Sequence, residues 1–154
     1  MAGPFFAHPA HRPPIRLHNQ PVILLVTVCA AGRRELLANP EVHEALLAAW
    51  RGAGQWIVGT YMVMPDHIHV FCAPSDHLVC GVRRWAGYWK RLAGGLDTRL
   101  RRRLQPDCWD VQMRSQQHYL LKLDYVRQNP VRKGLVARSE EWPYQGTVNP
   151  LDWR

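Results

Sequence analysis

The stretch that most constrains the fold is WIVGTYMVMPDHIHVFCA, residues 56–73. Two apolar runs rich in β-branched and aromatic residues flank Pro65-Asp66, a pair that turns a chain tightly, so an antiparallel hairpin is predicted here. Side chains on a strand alternate between faces with period two. His67 and His69 therefore share one face of the second arm, and Ile68 and Val70 take the other. Two imidazoles held side by side on a rigid strand can supply two ligands to one divalent metal. A chain with eight histidines also contains such a pair readily by chance. The rest of the sequence must supply what a metal would need.

Residues 22–29 (VILLVTVC) read as a strand buried on both faces. Asn39 is a fitting N-cap with Pro40 at the first helical position, and apolar positions 42, 45, 46, 49 and 50 form one helix face that Gly52 and Gly54 end. After the hairpin, a second helix is expected over about 77–94, with Val79, Val82, Trp85, Trp89 and Leu92 on its apolar side. Residues 95–107 read as a basic loop, 108–113 as a short fourth strand, and 116–128 as a third helix stopped by Pro130. Residues 1–20 form a proline-rich, irregular lead-in, and 137–154 a tail of turns that packs back on the body. The order β-α-β-β-α-β followed by a helix is the split-βαβ, ferredoxin-like plan. The expectation is one α+β domain over 1–154: an antiparallel sheet with helices on one face, plus a C-terminal helix that carries the chemistry. The third strand is central in that plan.

Charge points toward the partner. Twenty Lys+Arg against twelve Asp+Glu give +8, and the sequence pI is near 9.9. Such a basic domain suits a polyanion, nucleic acid or an anionic membrane surface. Only Lys90, Lys122 and Lys133 are lysines; a GC-rich genome is the plain explanation for so much arginine. Arg83, Arg84, Lys90, Arg91, Arg99, Arg101, Arg102 and Arg103 concentrate charge in one segment, with Trp85, Tyr88 and Trp89 interleaved. Arginines would grip phosphates and exposed rings would stack on unpaired bases; against this, Trp85 and Trp89, four apart, suit a core. No apolar run approaches the ~20 residues needed to span a bilayer, and the start lacks the pattern of a secretion signal. Cys29, Cys72, Cys80 and Cys108 show no Cys-x-x-Cys spacing and read as reduced thiols of a cytoplasmic, nucleoid-associated protein rather than a zinc site.

Further metal ligands and a reacting group are found on the third helix. Tyr125 and Asn129 stand at i and i+4 and share a face; Gln128 at i+3 is nearly as well placed, and the two amides compete as the third ligand. Tyr119 lies on the same helix without the Asn-Pro context that follows Tyr125. His118 and His77 read as surface or capping residues, His8, His11 and His18 as without chemistry, and Trp142 and Tyr144 as packing.

MPDHIHV (64–70) and YVRQNPVRKGLV (125–136), in that order and about 56 positions apart, resemble the two signatures of the single-tyrosine HUH transposases, most closely the branch of REP-associated tyrosine transposases. LLVTVCAAGRR and EEWPYQG resemble that family's first strand and C-terminal end, so the likeness runs from about Val22 to Trp142. It does not align over about 92–112, and Asp66 stands where the family often has Asn. The resemblance implies that His67 and His69 hold Mg²⁺ or Mn²⁺, that Tyr125 is the nucleophile, and that single-stranded or hairpin DNA is nicked and rejoined through a 5′-phosphotyrosine. It also leaves a homodimer open. A nucleotide hydrolase with alternating histidines would want a histidine at Phe71, and a two-histidine phosphoesterase would want His-x-Thr/Ser motifs that are absent. A non-catalytic nucleic-acid binder on the same fold is the remaining alternative.

Overall fold

The computed structural model describes residues 14–15, 21–76 and 79–153. Five strands form one antiparallel sheet: β1 (Leu24–Cys29), β2 (Trp56–Val63), β3 (His67–Pro74), β4 (Trp109–Gln112) and β5 (Gln145–Thr147). Their order is β4-β1-β3-β2-β5, so β3 lies at the centre. The helices are α1 (Pro40–Gly52), α2 (Val82–Leu96), α3 (Gln116–Arg127) and the single turn α4 (Asn129–Arg132). The α+β, split-βαβ expectation holds.

Alternation on the strands divides the interior in two. Val26, Val28, Ile68, Val70 and Cys72 face α1 and α2, where Trp50, Trp56, Trp85 and Trp89 complete an apolar core. Ile23, Leu25, Met62 and Phe71 face the other way and pack with Tyr119, Leu123 and Val126 of α3 and with Trp142. Each large side chain fully buried in either core stabilises by about 1.5–3 kcal/mol relative to exposure. Trp85 and Trp89 are core residues, not stacking platforms; of the three interleaved rings only Tyr88 is exposed.

Local chemistry sets the element ends. Asn39 accepts from the Val42 amide and caps α1, with Pro40 in the first turn. α2 begins at Val82, later than the sequence pattern suggests, because Gly81 stays extended at its N-cap. Pro130 does not stop the helical path. It enters the first turn of α4, where the N–H it lacks needs no partner. The tail contributes a strand that its sequence did not announce: Thr60↔Thr147 and Met62↔Gln145 pair β5 with β2. Of the lead-in only residues 14–15 are described, and Ile15 exchanges two hydrogen bonds with the Gln112 side chain. His8, His11, His18 and His77 lie outside the described residues. Among those described, no helix is long and apolar enough to cross a membrane, and all four cysteines are free thiols.

Candidate metal centre and nucleophile

β3 is flanked by β1 and β2, which fixes His67 and His69 in the middle of the sheet on the α3 side. Cys29 stands opposite His67, and Thr27 opposite His69. The imidazole centroids are 4.7 Å apart at 81°. Each ring has its Nδ1 engaged: His67 by Asp66 Oδ1 at 2.7 Å, His69 by Thr27 Oγ1 at 2.9 Å. An ionised carboxylate only accepts, so His67 donates from Nδ1 and keeps its lone pair on Nε2. That Nε2 lies 3.1 Å from the Asn129 side-chain amide, whose Nδ2 donates to it. Asn129 is itself buried. Between the two amides, the structure brings Asn129 to the histidines, while Gln128 supplies the hinge between α3 and α4.

Electrostatics keep both rings neutral. Burial lowers the His67 pKa, and the Asp66 hydrogen bond and charge oppose it without prevailing. Burial pushes His69 down to about 3, helped by the charges of Arg132, Arg33 and Lys122, and a proton on His67 would lower it further. The Asp66 carboxyl is raised by burial, yet His67 and the Arg33 guanidinium outweigh this and hold it below the usual carboxylate range. Arg33 donates from Nε to Asp66 Oδ2 at 2.9 Å and from Nη1 to Cys29 Sγ at 2.8 Å. Its backbone lies in the left-handed region, φ 56°, directly after Gly32 at 66°. A long side chain holding such a φ is uncommon and is found where the surroundings fix it; here the two side-chain bonds do so.

These donors fit a divalent ion. Two neutral imidazoles with oriented Nδ1 atoms and one amide give three ligand positions of nitrogen and oxygen type, and a carboxylate behind a ligating histidine is the usual way to fix its tautomer. Among the described residues no three His, Cys, Asp or Glu groups converge, so the third donor of such a set would be the Asn129 amide.

Tyr125 is 54% exposed on α3, whereas Tyr119 is 5% exposed. Tyr119 donates its hydroxyl to Leu151 O at 3.2 Å and packs against Phe71 and Trp153, and burial raises its pKa. It is a core residue. The Arg132 guanidinium lies 3.8 Å from the Tyr125 ring centroid and Lys122 Nζ 5.4 Å. Tyr119, Leu123 and Val126 pack α3, which carries Tyr125, on the histidine side of the sheet.

Of the other candidates, Arg84, Arg91, Arg101, Arg102 and Arg103 are exposed, and exposed Arg83 lies 3.4 Å from Asp107. Lys90 is partly buried and bonded within the chain. Its Nζ donates to Gln105 O and Pro106 O, and burial lowers its pKa, so it ties α2 to the following loop. Arg99 is clamped to Asp97 at 2.6 Å. His118 accepts the Arg114 amide at the α3 entry, and Trp142 donates to Val63 O while packing edge-on with Tyr144. Thr27, Arg33 and Arg132 escaped sequence reasoning. The one available signal was the positive charge clustered around the two motifs.

No family model matches the chain. A REP-associated tyrosine transposase of Escherichia coli (strain K12) is 24% identical over 103 residues, covering 62% of this chain and 61% of the relative. The chain thus spans about three fifths of the curated relative it matches. A solved structure of a REP-associated tyrosine transposase bound to a REP hairpin superimposes with a TM-score of 0.71 at 22% identity, covering 88% of this chain and 80% of that one. These likenesses relate the chain to the REP-associated tyrosine transposases and show that it has their fold.

Proposed function

We propose that this chain is a metal-dependent nuclease and strand transferase for hairpin-flanked single-stranded DNA, acting through a covalent link to Tyr125. The observation that carries the reading is the meeting of His67 Nε2 with the Asn129 amide, one helical turn beyond an exposed tyrosine that a guanidinium covers. The likeness to a REP-associated tyrosine transposase and the REP hairpin bound in the similar structure support it.

His67, His69 and Asn129 would hold Mg²⁺ or Mn²⁺, which when bound draws charge from the scissile phosphate. The chain's own groups do the rest. Tyr125 Oη attacks phosphorus in line and forms the new O–P bond; the bond to the 3′ oxygen breaks, and that oxygen leaves with a proton as a free hydroxyl. The proton lost by the phenol passes to solvent or to a nearby base. A phenol is a weak nucleophile near its reference pKa of about 10. Arg132 lies over the ring, 3.8 Å from its centroid, and holds the phenol by a cation–π contact. The ester linkage conserves the energy of the broken bond, so a 3′-hydroxyl can reverse the step and join strands.

The test is incubation of the protein with hairpin DNA bearing an unpaired flank, with Mg²⁺ or Mn²⁺, followed by denaturing electrophoresis for a protein–DNA adduct. Wild-type protein forms the adduct on this substrate and not on blunt duplex. Tyr125→Phe abolishes it and leaves DNA affinity within about twofold, since arginine–phosphate contacts dominate affinity. An adduct that survives Tyr125→Phe assigns the chemistry elsewhere; none with wild type leaves a non-catalytic DNA binder.

A further inference from the structure

On the sheet side away from the histidines, the second half of α2 and the loop after it enclose a cavity of about 450 Å³. Buried Leu100 and Leu104 and the bare backbone at Gly87 make its floor apolar, and exposed Arg91, Arg101 and Arg102 rim it. Its lining contains no acidic side chain. Among the described residues none of these three arginines is in an ion pair, whereas Arg33, Arg83, Arg99 and Arg138 each meet a carboxylate. An apolar floor beneath free guanidiniums fits a flat ring that carries phosphates.

The groove is built rather than incidental. A Cβ at Gly94 would lie 3.3 Å from Arg101 Cα, so the missing side chain lets the loop backbone lie directly on α2. Arg102 holds φ 58°, which turns the loop over the cavity. The same loop is zipped to the end of β1: the Ala31 amide donates to Arg103 O at 2.6 Å and the Gln105 amide to Cys29 O at 2.8 Å. Cys29 is the cross-strand neighbour of His67. The groove's loop is thus bonded to the end of β1 that pairs with His67, while the groove itself opens on the opposite face of the sheet.

We propose that the groove seats one unpaired nucleotide of the single strand flanking the cut phosphate, its base on the Leu104 floor and its phosphates on Arg101 and Arg102. This rests on the DNA-cleaving reading above, and adds where the flank goes.

Two variants test it. Gly95 lines the groove, and a Cβ there would have nothing within 4 Å, so Gly95→Leu fills the space without a clash and favours the helix. Arg101→Ala with Arg102→Gly removes the charges, and glycine accepts the left-handed φ. The probe is a DNA hairpin with an unpaired flank lengthened one nucleotide at a time, its far end carrying a photoreactive thymine analogue. Wild-type affinity should rise about tenfold at the length that first reaches the groove, with crosslinks in the peptide spanning 87–104. Gly95→Leu should lose that step while still forming the adduct on the short-flanked hairpin. The double variant should lower the log–log salt slope by about 1.4, two phosphates at ~0.7 each. A step that persists in both variants, or crosslinks only outside this peptide, overturns the groove assignment. Absence of any adduct with wild type overturns the catalytic reading instead, and the flank-length step is scored independently of it.

Discussion

The two faces of β3 were made from alternate residues of one heptapeptide stretch, yet they do opposite work. Ile68, Val70 and Cys72 enter a continuous apolar core under two helices and four tryptophans. His67 and His69 enter a face where α3 covers the sheet with only Tyr119, Leu123 and Val126. The first face is closed by apolar packing, whose worth scales with buried area. The second also has an apolar cluster, around Phe71 and α3, but at the histidines it is closed by directed bonds: His67 with Asp66, His69 with Thr27, and Asn129 with His67. Stability and chemistry are thus separated across the thickness of a single strand, and substitutions should separate them too.

The largest expected effect is on the polar face. His67→Ala and His69→Ala should each remove metal-dependent adduct formation while the thermal midpoint at neutral pH stays within a few degrees, since neither ring belongs to the apolar cores; calorimetry beside the adduct assay checks both halves. Trp85→Ala should do the reverse, costing about 3–5 kcal/mol of stability in denaturant titrations, because the ring is fully buried and its indole N–H donates to Ala53 O. At a temperature where the variant remains folded, its adduct yield should match wild type. If Trp85→Ala lost the adduct while folded, the two faces would not be independent.

Smaller effects sharpen the comparison. Asp66→Asn keeps the shape but removes the charge that orients His67, and should weaken Mn²⁺ binding about 10–100-fold by titration calorimetry, with no loss of DNA affinity. The pH dependence has a definite sign. His69 is held neutral in the folded chain down to about pH 3, while an unfolded histidine takes up its proton near 6.5. Between those values the unfolded state binds the extra proton, so stability falls as pH falls, by at most about 1.4 kcal/mol per pH unit. In chelator-treated protein His69→Gln should flatten that slope; an unchanged slope would place the acid sensitivity in other groups.

Much of this was legible in the sequence, for physical reasons that differ by element. Trp56–Val63 and the start of β3 at His67 follow from two apolar, β-branched runs around a Pro-Asp turn, and α1 from an Asn-Pro start followed by an apolar face. These signals are local. β5 has only three residues and no alternation of its own; pairing with β2 makes it a strand. Pro130 looked like a stop because a proline breaks a helix interior, yet it sits in the first turn of a new one. In the site, the two histidines, Tyr125 and Asn129 were readable from motif and spacing. Arg33 and Thr27 reach their partners from 33 and 42 positions away, and no periodicity reports such contacts. Lys90 looked like one more cation in a basic run; only the folded loop reveals the two carbonyls that occupy it.

The break between α3 and α4 at Gln128 has a mechanical consequence. Tyr125 lies on the side of the break where the helix is anchored by a few apolar contacts, and Asn129 on the side bonded to His67. Segments with few buried contacts open at lower free energy than the sheet beneath them. Opening of α3 would leave the Asn129–His67 bond in place, because that bond lies beyond Gln128. Amide hydrogens of α3 should exchange with solvent well before those of β3.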